Sequence, residues 1–169
     1  EYQGQKCSAA SRAYIPDTIW KEVRTKPLAE IATIRMGDVT DFRTFMGAVI
    51  DQGAFADITG YIKRAKGKEG KGRAKVIAGG GFDDSKGYFI EPTVVECKDP
   101  LYTTMREEIF GPVLVTMTFR TPAEAVALAE AEMARLAAQP KPEPEPVAPP
   151  PPKKKPSSFE QLMRMVEGI

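Results

Sequence analysis

The sequence contains no histidine, two cysteines (Cys7 and Cys97) and a single tryptophan, Trp20. Lack of imidazole excludes every His-dependent nucleophilic triad, and lack of a CxxC pair removes the common zinc patterns, so no metal ligand set is expected. A nucleophile in this chain has to be activated by other means. No apolar run is long enough for a membrane-spanning helix. Neither a methionine nor a basic targeting segment opens the chain at Glu1, so it reads as cut from something longer. Charge of one sign is also scarce: 24 Lys+Arg stand against 23 Asp+Glu, and the basic residues are scattered, so no nucleic-acid partner is indicated.

What is present suits one compact globular domain: 169 residues, 42% hydrophobic and 28% charged, enough for a single core. Ser11 to Ile15 has strand character, and Pro16-Asp17 offers a turn and cap for a helix from Thr18. Pro27, which has no amide hydrogen, is expected to end or kink that helix near Lys26. Phe55, Ile58, Ile62 and Ala65 recur at helical spacing as one buried stripe, closed by the Lys/Gly tract Lys66 to Gly72, a surface loop. That tract lacks the Gly-Lys-Ser/Thr ending of a phosphate loop. Lys75 to Ala78, Tyr88 to Val95 and Val113 to Phe119 read as strands. Thr121-Pro122-Ala123-Glu124 supplies a cap, a first-turn proline and a capping-box glutamate for a helix over Ala125 to Ala138.

Composition changes at Gln139. Residues 139–156, mostly Pro, Lys, Glu and Ala, cannot pack a core and are expected to form a disordered, polyproline-like linker. Residues 157–169 place Phe159, Leu162, Met163 and Val166 on one face of a short amphipathic helix. An interaction protein whose Pro-rich arm presents this helix to a protein partner is a second reading of the chain.

The sharpest chemical feature is Gly4-Gln5-Lys6-Cys7-Ser8-Ala9, a small-residue turn that leaves a thiol beside unhindered backbone amides. A thiolate attacks carbonyl carbon readily, and backbone N–H groups can receive the oxyanion. From the residues alone, Cys7 fits either that role or a small packed residue. Glu107 and Glu108 fit either site residues or solvated charges, and Phe110 fits either a site or the core. Cys97 reads as a packed or partly exposed thiol.

Three motifs resemble the aldehyde dehydrogenase superfamily, in the same order: Gly4-Gln5-Lys6-Cys7, Gly87-Tyr88-Phe89-Ile90-Glu91-Pro92-Thr93-Val94 and Glu107-Glu108-Ile109-Phe110-Gly111-Pro112-Val113. Gly4 to Arg12 taken whole, Met46 to Asp51, Asp83 to Phe89 and Lys98-Asp99-Pro100 resemble its delta-1-pyrroline-5-carboxylate dehydrogenase branch. The resemblance implies an α/β fold, with a partial catalytic domain over residues 1–138 that is matched most strongly over 1–119. It implies Cys7 as the catalytic thiol, Glu108 as the carboxylate that hydrogen-bonds the nicotinamide ribose, and Phe110 as the aromatic residue near the nicotinamide. The implied activity is NAD-dependent oxidation of glutamate semialdehyde to glutamate in proline breakdown, in a homo-oligomer. The implied setting is the mitochondrial matrix of a eukaryote or the cytoplasm of a bacterium.

By the same resemblance, the dinucleotide-binding domain, the glutamate general base and the asparagine of the oxyanion hole precede Glu1. The loop that grips the substrate carboxylate and the oligomerisation strands belong after Ala127, where the likeness fades. The 169-residue polypeptide is therefore expected to have negligible dehydrogenase activity alone.

Overall fold

The computed structural model describes residues 2–138. The linker and terminal helix expected over 139–169 lie outside the described residues. Six strands and four α-helices follow in the order β1 (Arg12–Pro16), α1 (Asp17–Ile31), α2 (Gln52–Lys66), β2 (Ala74–Ala78), β3 (Phe82–Asp83), β4 (Phe89–Ile90), β5 (Thr93–Cys97), α3 (Thr103–Arg106), β6 (Val113–Phe119) and α4 (Pro122–Ala137). The fold is α/β, as the motifs imply. No helix among the described residues is long and apolar enough to cross a membrane.

Four strands make the main sheet, in the order β1-β6-β5-β2. Strands β1 and β5 both run parallel to β6, and β2 runs antiparallel to β5. The two central strands carry the apolar content: Val94, Val95, Cys97, Val113, Val115 and Met117 are all buried. Runs of this kind suit strands that have other elements over them. Helix α2 supplies the cover, burying Phe55, Ile58, Ile62 and Ala65, the stripe expected from their spacing. Ile58 and Ile62, 1% and 0% exposed, are each worth about 1.5–3 kcal/mol of burial. The helix starts at Asp51, whose side chain accepts from the Ala54 amide at 2.8 Å, and it stops at the Gly67 cap.

Three expectations are corrected. Helix α1 does not end near Lys26 but runs on through Pro27 to Ile31. The half-buried residues Trp20, Val23, Leu28 and Ile31 continue the apolar face beyond the proline. Pro27 itself is exposed, so water can take the place of its missing amide at the Val23 carbonyl. Tyr88 to Val95 is two strands rather than one: β4 pairs with β3 in a two-stranded sheet, and β5 enters the main sheet. Pro92 separates them, having no amide to donate to a ladder. The Lys/Gly tract is not wholly a surface loop, because it forms a 3-10 turn over Lys68–Gly70 with Gly70 buried.

The capping signal ahead of α4 is realised with one change. The Glu124 amide donates to Thr121 Oγ1 at 3.2 Å, and the Glu124 carboxylate accepts from the amide of Arg120, one residue before the expected partner, at 2.9 Å. Cys97 is buried, and burial pushes its thiol pKa up.

Candidate active site

Two loops that are a hundred residues apart in sequence reach the same end of the sheet because the strands they lead into are parallel neighbours. The Cys7 loop feeds β1 and the Glu107–Pro112 loop feeds β6, with Arg12 opposite Val115 in the ladder. The register is continued outward by the Val115 amide, which donates to the Ser11 carbonyl at 3.0 Å.

The loops touch through glycine. Gly4, at φ +73, packs so closely on Gly111 that a Cβ at Gly4 would overlap the Gly111 carbonyl. Gly111 is equally confined on its other side, where a Cβ would stand 2.5 Å from Ile58 Cδ1 of α2. Thus α2 supports the Phe110–Gly111 backbone from beneath, and that backbone supports the thiol loop.

Cys7 lies exposed in a turn closed by the Ala9 amide donating to the Lys6 carbonyl at 2.9 Å. Its loop is tethered further by Gln5, whose Oε1 accepts from the Ile50 amide at 2.9 Å. Gln5, Asp51, Tyr61, Glu107, Glu108 and Phe110 are among the residues that line one cleft of about 770 Å³. The structure therefore brings Glu108 and Phe110 together on this cleft, with Gln5 representing the thiol loop; Cys7 is not among the lining residues.

Within the second loop, one buried residue stands among exposed ones. Ile109 is buried in the core, whereas Glu107, Glu108 and Phe110 are exposed. Phe110 has φ +55 and is 43% exposed. A bulky residue in that region carries about 1–3 kcal/mol of backbone strain and persists only where its surroundings enforce it. Here the buried Ile109 and the confined Gly111 on either side enforce it. An aromatic ring is held toward solvent beside a free-facing carboxylate. A hydrogen-bond acceptor beside an aromatic face is chemically suited to a ligand that joins a flat heteroaromatic ring to hydroxyl donors, as the nicotinamide-ribose end of NAD does.

Glu107 differs from Glu108. Its Oε2 accepts from the Tyr61 hydroxyl at 2.6 Å, and its backbone carbonyl accepts from Arg12 Nη2 at 3.0 Å. The hydrogen bond to Glu107 and then burial push the Tyr61 phenol up to about 12. Gln5, Arg12 and Tyr61 were not legible as site residues from the sequence. The hints were that Gln5 and Arg12 fall within the family-like stretch Gly4 to Arg12 and that Tyr61 stands beside the buried Ile62.

Comparison with known proteins identifies the family. The sequence profile of the aldehyde dehydrogenase family matches residues 1–139. Curated relatives include the mitochondrial delta-1-pyrroline-5-carboxylate dehydrogenases of Dictyostelium discoideum, 46% identical over 119 residues (70% of this chain, 21% of that protein), and of Homo sapiens, 48% identical over 115 residues (68% and 20%). Among solved structures, delta-pyrroline-5-carboxylate dehydrogenase from Mycobacterium tuberculosis bound with NAD is 40% identical with a TM-score of 0.63, covering 77% of this chain and 22% of that one. Betaine aldehyde dehydrogenase from Staphylococcus aureus in complex with NAD+ is 33% identical with a TM-score of 0.67, covering 76% of this chain and 25% of that one. The chain spans about a fifth of the length of the curated relatives it matches. From residue 1 to residue 139, this chain belongs to the aldehyde dehydrogenase family.

Proposed function

We propose that this chain is the thiol-bearing part of an NAD-dependent delta-1-pyrroline-5-carboxylate dehydrogenase, which oxidises glutamate semialdehyde to glutamate. The observation that carries the reading is the contact of Gly4 with Gly111, which sets the Cys7 loop against the loop of Glu108 and Phe110. The names of the relatives support the substrate assignment.

The Cys7 thiolate adds to the aldehyde carbon, and the carbonyl electron pair moves to oxygen, which takes up a proton to give a thiohemiacetal. The Cys7 backbone amide is one donor to that oxygen, and a preorganised donor of this kind is worth about 3 kcal/mol. Carbon–hydrogen cleavage leaves a thioester on Cys7 with loss of the hydroxyl proton. NAD, when bound, accepts the hydride. Glu108 would hold the ribose hydroxyls and Phe110 would pack near the nicotinamide, so both would act by orientation. Water then hydrolyses the thioester, releasing glutamate and returning the thiol. The reading carries with it a homo-oligomer, and a matrix setting for a eukaryotic source or a cytoplasmic one for a bacterial source.

The test is Cys7→Ser in the full natural protein. NADH formation from glutamate semialdehyde is expected to fall by on the order of a thousandfold or more, and acid-quenched wild type is expected to carry the acyl group on the Cys7 peptide. Retained activity in the variant sinks the assignment. The 169-residue polypeptide alone is expected to produce no NADH.

A further inference from the structure

Most of residues 106–111 are held by neighbouring elements, although Glu107, Glu108 and Phe110 all line the cleft. The Arg106 carbonyl accepts from Arg135 Nη2 of α4 at 2.7 Å. The Glu107 carbonyl accepts from Arg12 of β1 at 3.0 Å, and its carboxylate accepts from Tyr61 of α2 at 2.6 Å. Ile109 is sunk in the core, and Gly111 is clasped between Gly4 and Ile58. Glu108 and Phe110 are exposed on the cleft with no such anchor recorded among the described residues.

From this pattern we infer that Tyr61 is a positioning residue: by holding the Glu107 carboxylate, it fixes the direction in which the neighbouring Glu108 presents its own carboxylate to the cofactor. The inference rests on the reading of Glu108 and Phe110 as cofactor positions. Glu107 caps α3 in an extended conformation, φ −108 and ψ 148, and both carboxylates line the cleft, so anchoring Glu107 on Tyr61 fixes the backbone from which Glu108 projects and keeps the Glu107 carboxylate out of its place. Arg64 reinforces the arrangement, with its guanidinium carbon 5.4 Å from the centre of the Tyr61 ring. Without the hydroxyl, two adjacent carboxylates are free to exchange places or to repel one another into solvent, and the ribose meets a less ordered acceptor.

Affinity for NAD, measured by isothermal titration on the full natural protein, tests this without depending on turnover. Tyr61→Phe and Glu107→Ala are each expected to weaken NAD binding by about five- to twentyfold. Glu107→Gln keeps an oxygen acceptor for Tyr61 and is expected to bind within about twofold of wild type. The alkylation rate of Cys7 is expected to be the same in all four proteins. Unchanged NAD affinity in Tyr61→Phe overturns the inference, even where thermal stability falls, since that is the signature of a merely structural contact. Failure of the wild type to bind NAD overturns the cofactor reading beneath it, and this inference with it.

Discussion

Gly4 and Gly111 meet backbone to backbone: a Cβ at Gly4 would overlap the Gly111 carbonyl oxygen and stand 2.9 Å from its carbon. This contact joins the thiol loop to the loop of Glu108 and Phe110. It has no tolerance for a side chain, and the φ of +73 at Gly4 disfavours one independently.

Gly4→Ala is therefore expected to destabilise the fold by about 2–4 kcal/mol, through a left-handed backbone penalty and an overpacked contact together. Urea unfolding followed by circular dichroism measures it. A midpoint equal to wild type would show that the two loops do not meet in this way.

Gly111 faces Ile58, so the second prediction is a coupling between them. Gly111→Ala brings a methyl within 2.5 Å of Ile58 Cδ1, and Ile58→Val removes that atom. Ile58→Val alone is expected to cost about 0.5–1.5 kcal/mol. The double variant is expected to be more stable than the sum of the single changes by about 1 kcal/mol or more. Strict additivity in a urea double-mutant cycle counts against the packing described.

Alkaline pH provides a third. The Tyr61 phenol is raised from 10.0 to about 12, chiefly by its hydrogen bond to Glu107. Between those values the folded protein keeps a proton that the unfolded chain releases, so stability falls as pH rises. The contribution is fully present below pH 10 and is lost as pH rises through about 12. Tyr61→Phe is expected to flatten this part of the stability profile, leaving a smaller slope from Tyr102 and Tyr14, which burial also raises. Urea midpoints at pH 9 and above decide the matter; the same slope in both proteins rules out the Tyr61–Glu107 bond.

Much of the local structure was readable because it is encoded locally. The stripe Phe55, Ile58, Ile62 and Ala65 announces α2 by its period, and a single face packed on the sheet is what that period requires. Thr121-Pro122-Ala123-Glu124 announces α4 through chemistry complete within four residues. Pro27 and Pro92 mark where local reading fails. Each removes one amide, but Pro27 sits on the exposed side of a helix whose packed face continues, while Pro92 lies where the chain passes between two sheets. A missing donor has the same local signature in both, and only the surroundings decide the outcome.

The sequence by itself determined which residues are proposed for the site: Cys7, Glu108 and Phe110 stand in short motifs that resemble those of the family, and a motif is legible because its residues are contiguous. Tertiary structure decided that these motifs share one end of a sheet, because parallel pairing of β1 with β6 is a long-range choice that no window of either segment contains. It also decided that Glu107 is an anchor and Glu108 a free carboxylate. Two identical adjacent residues differ only in what they face, and Tyr61, which separates their roles, comes from a helix packed on that loop rather than from the loop itself.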